Sequence, residues 1–135
     1  MSDRGYIGME KDGVVTARYL HGADEPEILV PKLRAIWDGL QRDSHRLCTA
    51  LLAEDWSYLS TDQSGPYINF VPGVGCPSPG GTSPKPARIP LAGPISAYLG
   101  WLYVIAPDSS VITVYEATVH DRWLRHSVHE LRTDR

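Results

Sequence analysis

Residues 120–129 hold the densest cluster of chemically able side chains in the sequence: His120, Asp121, Arg122, Trp123, Arg125, His126, Ser127 and His129. Imidazole gains or loses a proton near neutral pH more readily than any other side chain. A guanidinium beside it is the usual partner of phosphate or carboxylate. These residue types together suit anion binding or acid–base work. In the functional reading, His120 is a general base or ligand and Arg122 or Arg125 holds an anion. In the plain reading, Asp121 caps a helix and the basic residues form its solvated face. The capping reading accounts for Asp121 with fewer assumptions.

Other groups with chemical potential are sparser. His126 and His129 lie three apart and would share a face of a helix. Spacing places no third ligand beside them, so no metal site and no cofactor are expected. Gly73, Gly75, Gly80 and Gly81, with Lys85 and Arg88 nearby, make a glycine-rich stretch whose amides could cradle phosphate. Its spacing fits neither the dinucleotide fingerprint nor the P-loop, and interleaved prolines remove donors. No nucleophile motif of the G-x-S-x-G kind occurs. Glu54 and Asp55 read as surface carboxylates. Trp123, placed among charges, would anchor a partner if exposed.

Composition narrows the classes. A chain of 135 residues is expected to be one domain, 1–135, with a real core. A net charge of -3 argues against wholesale binding to nucleic acid or an anionic membrane. No apolar run approaches the roughly 20 residues that span a bilayer. The N-terminal residues lack the apolar core of a secretion signal, so a cytoplasmic setting is expected. Cys48 and Cys76 fit free thiols there.

The elements that must position these groups can be read from periodicity. Residues 6–21 predict a β-hairpin turning at Lys11-Asp12-Gly13. A three-residue loop pairs Met9 with Val15 and Ile7 with Ala17, leaving Tyr6 and Arg18 on a polar face. Leu29, Leu33, Ile36, Trp37 and Leu40 repeat at helical spacing. Asp24 and Glu27 resemble a capping box, and Pro31 suggests that the main helix starts there. Asp43 or Ser44 caps a second helix carrying Leu47, Cys48, Leu51 and Leu52 and ending near 56–59. Residues 60–94 hold eight of the eleven prolines and six glycines. Within them only 67–71 reads as a strand, and 72–82 as irregular loop. A second hairpin, 101–119, turns at Pro107-Asp108-Ser109-Ser110. Pairing Ile105 with Ile112 and Tyr103 with Val114 makes both its faces apolar, as in a covered central hairpin. Residues 121–131 read as a short helix with Leu124, Val128 and Leu131 inward.

The opening Tyr6-Ile7-Gly8-Met9-Glu10-Lys11-Asp12-Gly13, then Arg18-Tyr19-Leu20-His21 and Asp24-Glu25-Pro26, resembles small uncharacterised proteins of phages, prophages and actinobacteria. Those begin with a Y-I-G-x-E hairpin followed by Y-C-H-W-D-G-Y-P. Asp55-Trp56-Ser57-Tyr58-Leu59 matches a later segment, so the resemblance covers residues 5–59. Where that pattern has Cys and Trp around the histidine, this chain has Leu20 and Gly22. A site there would rest on His21 alone. The resemblance implies a phage-related context and no particular chemistry.

The sequence thus predicts an α+β domain: two hairpins in a mainly antiparallel sheet, two helices on one face, and a long Pro/Gly loop crossing an edge. The function it suggests first is a small binding protein, with the question of catalysis left open. It would engage a partner protein or a small anionic ligand through His21, His120, Arg122, Trp123, Arg125, Lys85 and Arg88. The alternative is a small hydrolase or nuclease-like enzyme using His120 with Arg122 and His126.

Overall fold

The computed structural model describes residues 4–62, 70–79, 84–95, 100–118, 120 and 122–133. Among these, two helices pack on a mixed eight-stranded sheet. The strands are β1 (Gly5–Lys11), β2 (Val14–Leu20), β3 (Trp56–Leu59), β4 (Gly75–Pro77), β5 (Ala87–Pro90), β6 (Trp101–Ala106), β7 (Val111–Ala117) and β8 (Trp123–Glu130). The helices are α1 (Pro26–Gly39) and α2 (Ser44–Leu52). The sheet runs β4-β3-β2-β1-β6-β7-β8, and β5 pairs with β2. The α+β class is as expected. The sheet is mostly antiparallel, but the two hairpins join through a parallel β1–β6 pair, and β2–β3 is also parallel.

The second hairpin has the expected register, with Ile105 opposite Ile112 and Tyr103 opposite Val114. It is covered on both sides. Tyr103, Ile105, Ile112 and Val114 join the core beneath the helices. Leu102 and Val104 join a second cluster with Val15 and Ala17, over which Ile89 and Leu91 pack.

The first hairpin differs from expectation. Met9 faces Thr16 and Ile7 faces Arg18, so the loop is two residues, Asp12 and Gly13. Both have positive φ, 55° and 81°, the backbone twist that a tight two-residue hairpin needs. The expected register assumed one wet face. Here both faces are covered, and Arg18 is only 6% exposed. Its Nε donates to the Leu52 carbonyl at 2.8 Å, and its Nη1 lies 3.9 Å from Asp55 Oδ1. Asp55 therefore is not a surface carboxylate. Gly13 does take the left-handed conformation expected of it. Its side-chain direction is open space, so Gly13→Ala should cost about 1 kcal/mol through backbone strain alone. Urea denaturation checks this, and an unchanged midpoint would contradict it.

Helix α1 starts at Pro26 and runs through Pro31, rather than starting there. Pro31 lacks the N–H that would reach residue 27, but both residues are exposed, so water can serve the freed carbonyl. The N-cap is Glu25, with no side-chain cap, in place of the expected Asp24–Glu27 box. Asp24 instead accepts the Tyr103 hydroxyl at its carbonyl and pairs with Lys32 through its carboxylate. Asp43 caps α2, accepting from the His45 and Arg46 amides. That helix ends at Leu52, and the Trp56 segment expected at its end is strand β3.

The Pro/Gly region is more regular than expected, since it supplies β4 and β5. Of the strand expected at 67–71, residues 67–69 lie outside the described residues. Val71 forms only an isolated bridge to Gly75. The tail overturns its expectation most clearly. Residues 123–130 are not a helix but strand β8, paired antiparallel with β7. Leu124 and Val128 are 57% and 51% exposed, and only Leu131 enters the core. Asp121, the expected cap, lies outside the described residues. Cys48 and Cys76 are free and buried, and burial pushes the Cys48 thiol up to about 11.

Candidate functional site

Strand β8 separates the residues that the sequence grouped together. At about 3.3 Å per residue, its eight residues span roughly 23 Å. Arg122 and Trp123 lie at one end, and His129 and Glu130 at the other. His120 is exposed in the turn before the strand. Arg122 Nη1 donates to the Ala92 carbonyl at 2.8 Å, fastening the segment after β5. Trp123 is half-buried against the second cluster, and its buried Nε1 has no partner among the described residues. Arg125 is exposed opposite Tyr115.

His21 follows β2, four strands away from β8 in the sheet order. At about 4.8 Å per strand, that is roughly 19 Å. Its Nδ1 lies 3.1 Å from the Tyr19 hydroxyl. Lys85 and Arg88 are exposed near β5. Among the described residues, His21 thus lies apart from Arg122 and Trp123, which reach the segment around β5 that carries Arg88.

What gathers instead lies at the far end of β8. The face of α1 that turns toward β8 carries Arg34 and Trp37. Together with Arg42, Ser109, Ser110, His129, Glu130 and Arg132 they line one depression of about 910 Å³. Three elements build it: the end of α1, the β6–β7 turn and the end of β8. Arg34 is fixed by two bonds, from Nε and Nη2 to the Glu130 carbonyl at 3.0 and 2.8 Å. Arg42 pairs with Asp38 at 2.7 Å and stacks over the Trp37 ring, 5.3 Å from its centroid. Ser110, at φ 56°, is held by its amide on Ala106 O and by its carbonyl, which accepts from Leu131 N.

His126 and His129 were expected to share a helix face. On a regular strand, residues three apart point to opposite faces. Here β8 carries a bulge, because Ser127 faces Val114 while Arg125 faces Tyr115, leaving His126 as the extra residue. The bulge resets the alternation. Ser127 Oγ then lies 2.9 Å from His126 Nδ1 and 2.8 Å from His129 Nε2. The His126 ring meets Trp101 edge to face at 5.2 Å. Among the described residues, no group of three potential metal ligands comes together.

His129 is held below the usual imidazole range. Desolvation is the largest cause, and Arg34 and His126 add to it, with Glu27 opposing. As pH falls, the unfolded chain therefore takes up this proton first. His129 lowers stability on acidification in a window just below about 6.5, and has no such effect above it. An NMR titration should place its midpoint below 6.5, and Arg34→Ala should raise it. A midpoint at or above the ordinary value in the native chain would contradict this.

The sequence does not single out Arg34, Arg42, Ser110 or Arg132 as site residues. They are distant along the chain, and each alone reads as an ordinary helix, turn or tail residue. Their only shared signal is three-dimensional.

Among known proteins, the chain matches no family model, no curated protein and no solved structure. Among the described residues, no helix is long and apolar enough to cross a membrane.

Proposed function

We propose that this chain is a binding protein that holds a small anionic ligand in the cleft between α1 and the end of β8. One observation carries the reading: three arginines, Arg34, Arg42 and Arg132, line the same depression. Its volume of about 910 Å³ is ample for a small metabolite. The acidic neighbours temper the charge without cancelling it. Asp38 pairs with Arg42, and Glu130 lines the same depression. The resemblance of residues 5–59 to phage-related proteins suggests an accessory role. The free thiols of Cys48 and Cys76 suit a reducing, cytoplasmic compartment.

A thermal-shift screen against phosphate, sulfate and carboxylate anions tests the reading. A bound ligand stabilises by mass action, by about 2.7 kcal/mol at a hundred times Kd. At least one anion should raise the melting temperature, and Arg34→Ala with Arg132→Ala should remove that rise. If no anion shifts the wild-type protein, the reading fails. A protein partner on the basic end of β8 then becomes the better account.

A second reading rests on one contact, the Ser127 hydroxyl placed between His126 and His129. A serine hydrogen-bonded to imidazole is the core of a nucleophile–base pair. It would make the chain a small hydrolase, with Ser127 and His129 in place of the expected His120 and Arg122. A fluorophosphonate probe should then label Ser127 and not Ser127→Ala. Absence of labelling discards it.

A further inference from the structure

The direction of one hydrogen-bond chain says more about the ligand. Trp37 Nε1 donates to Ser44 Oγ at 3.0 Å, and Ser44 Oγ lies 2.6 Å from Ser110 Oγ. Tryptophan nitrogen can only donate. Ser44 must therefore accept from it, and Ser44 is 95% buried, being 5% exposed. Its own proton needs an acceptor, and among the described residues Ser110 Oγ is the one in reach. Ser110 then accepts from Ser44 and turns its own O–H outward, into the depression that it lines.

Arg34 makes a second fixed donor. Its Nε and Nη2 are held by Glu130 O, and among the described residues its Nη1 edge stays open to a ligand. Ser110 also sits at φ 56°, a conformation that costs a non-glycine residue roughly 1 kcal/mol or more. Such strain persists where neighbours hold it, often at ligand sites. Here the hydrogen bond its amide donates to Ala106 O, the one its carbonyl accepts from the Leu131 amide, and the Ser44 hydroxyl hold it.

Resting on the anion-binding reading above, we propose that the ligand is a small phosphate monoester with a hydroxyl-bearing body, such as a sugar phosphate. Donors on three segments, Arg34 of α1, Ser110 of the β6–β7 turn and Arg132 just after β8, line that depression. A tetrahedral anion presents oxygens in several directions, whereas a carboxylate keeps its lone pairs in one plane. Glu130 lines the same depression. Its carboxylate accepts from a ligand hydroxyl and repels a second anionic group. The site therefore favours one phosphate on a polyol over a compact polyanion.

Calorimetric titration of the full chain with ribose 5-phosphate, inorganic phosphate, ribose and citrate tests this. Ribose 5-phosphate should bind more tightly than phosphate or citrate, and ribose should not bind. Ser110→Ala should weaken ribose 5-phosphate about ten- to a hundredfold, the worth of a hydrogen bond to a charged group. If Ser110→Ala loses its fold by circular dichroism, the exposed Arg132→Gln replaces it, with a similar loss expected. Citrate binding as tightly as ribose 5-phosphate, or either substitution leaving affinity unchanged, overturns the phosphate assignment while anion binding stands. No binding of any anion to the wild-type chain overturns both.

Discussion

Asp55→Ala should cost about 3–5 kcal/mol of folding stability, enough to unfold a marginal domain. Arg18 is nearly buried, and Asp55 is its counter-charge, with side chains 8% and 13% exposed. Asp55 Oδ1 also accepts the Tyr19 amide at 3.1 Å. Together these contacts tie β2 to the end of α2 and to the start of β3. The Nη1–Oδ1 contact is long at 3.9 Å, so its own direct attraction is modest. The large effect comes from leaving a guanidinium in the core with its counter-ion gone. Arg42→Ala, at an exposed pair, should cost at most about 1 kcal/mol. Denaturant titrations of both variants compare the two cases. A cost for Asp55→Ala as small as that for Arg42→Ala would show that Arg18 finds water or another partner.

Gly8→Ala should be comparably severe, at or beyond the roughly 3 kcal/mol upper end for overpacking. A Cβ built there would lie 1.9 Å from the Thr16 carbonyl oxygen and 2.7 Å from the Ala17 Cα. Both are backbone atoms of the neighbouring strand. They can move only if β1 and β2 separate, and β1 is also held by β6 on its other side. Soluble expression and the melting temperature of the variant read this out. A native-like melting temperature would mean that the two strands lie farther apart than described.

The contrast between the two hairpins shows what the sequence makes legible. Around Pro107–Ser110, both strands are apolar on both faces, so pairing apolar with apolar finds the register. Around Asp12-Gly13, Arg18 misleads, because a charged residue in a strand reads as facing water. Its burial depends on Asp55, 37 positions later, and no local pattern reveals that. Strand β8 misleads in another way. Leu124, Val128 and Leu131 have helical spacing, and the bulge at His126 breaks the alternation that would have signalled a strand. The candidate site was legible only at its edge. His129 belongs to the cluster read from sequence, but Arg34 and Ser110 join it only through the packing of α1 and the β6–β7 turn against β8.

The central claim is that an anion binds where α1 meets the end of β8, and not at Arg122 and Arg125. An amide-resolved NMR titration with inorganic phosphate tests it most directly. The account predicts that the largest shifts fall on Ser109, Ser110, His129, Glu130 and Arg132, with the Arg34 side chain following. It predicts small changes at His120, Arg122, Arg125 and Arg88. Shifts concentrated on that second set, with the residues around Ser110 unmoved, would contradict the assignment and return the site to the opposite end of β8.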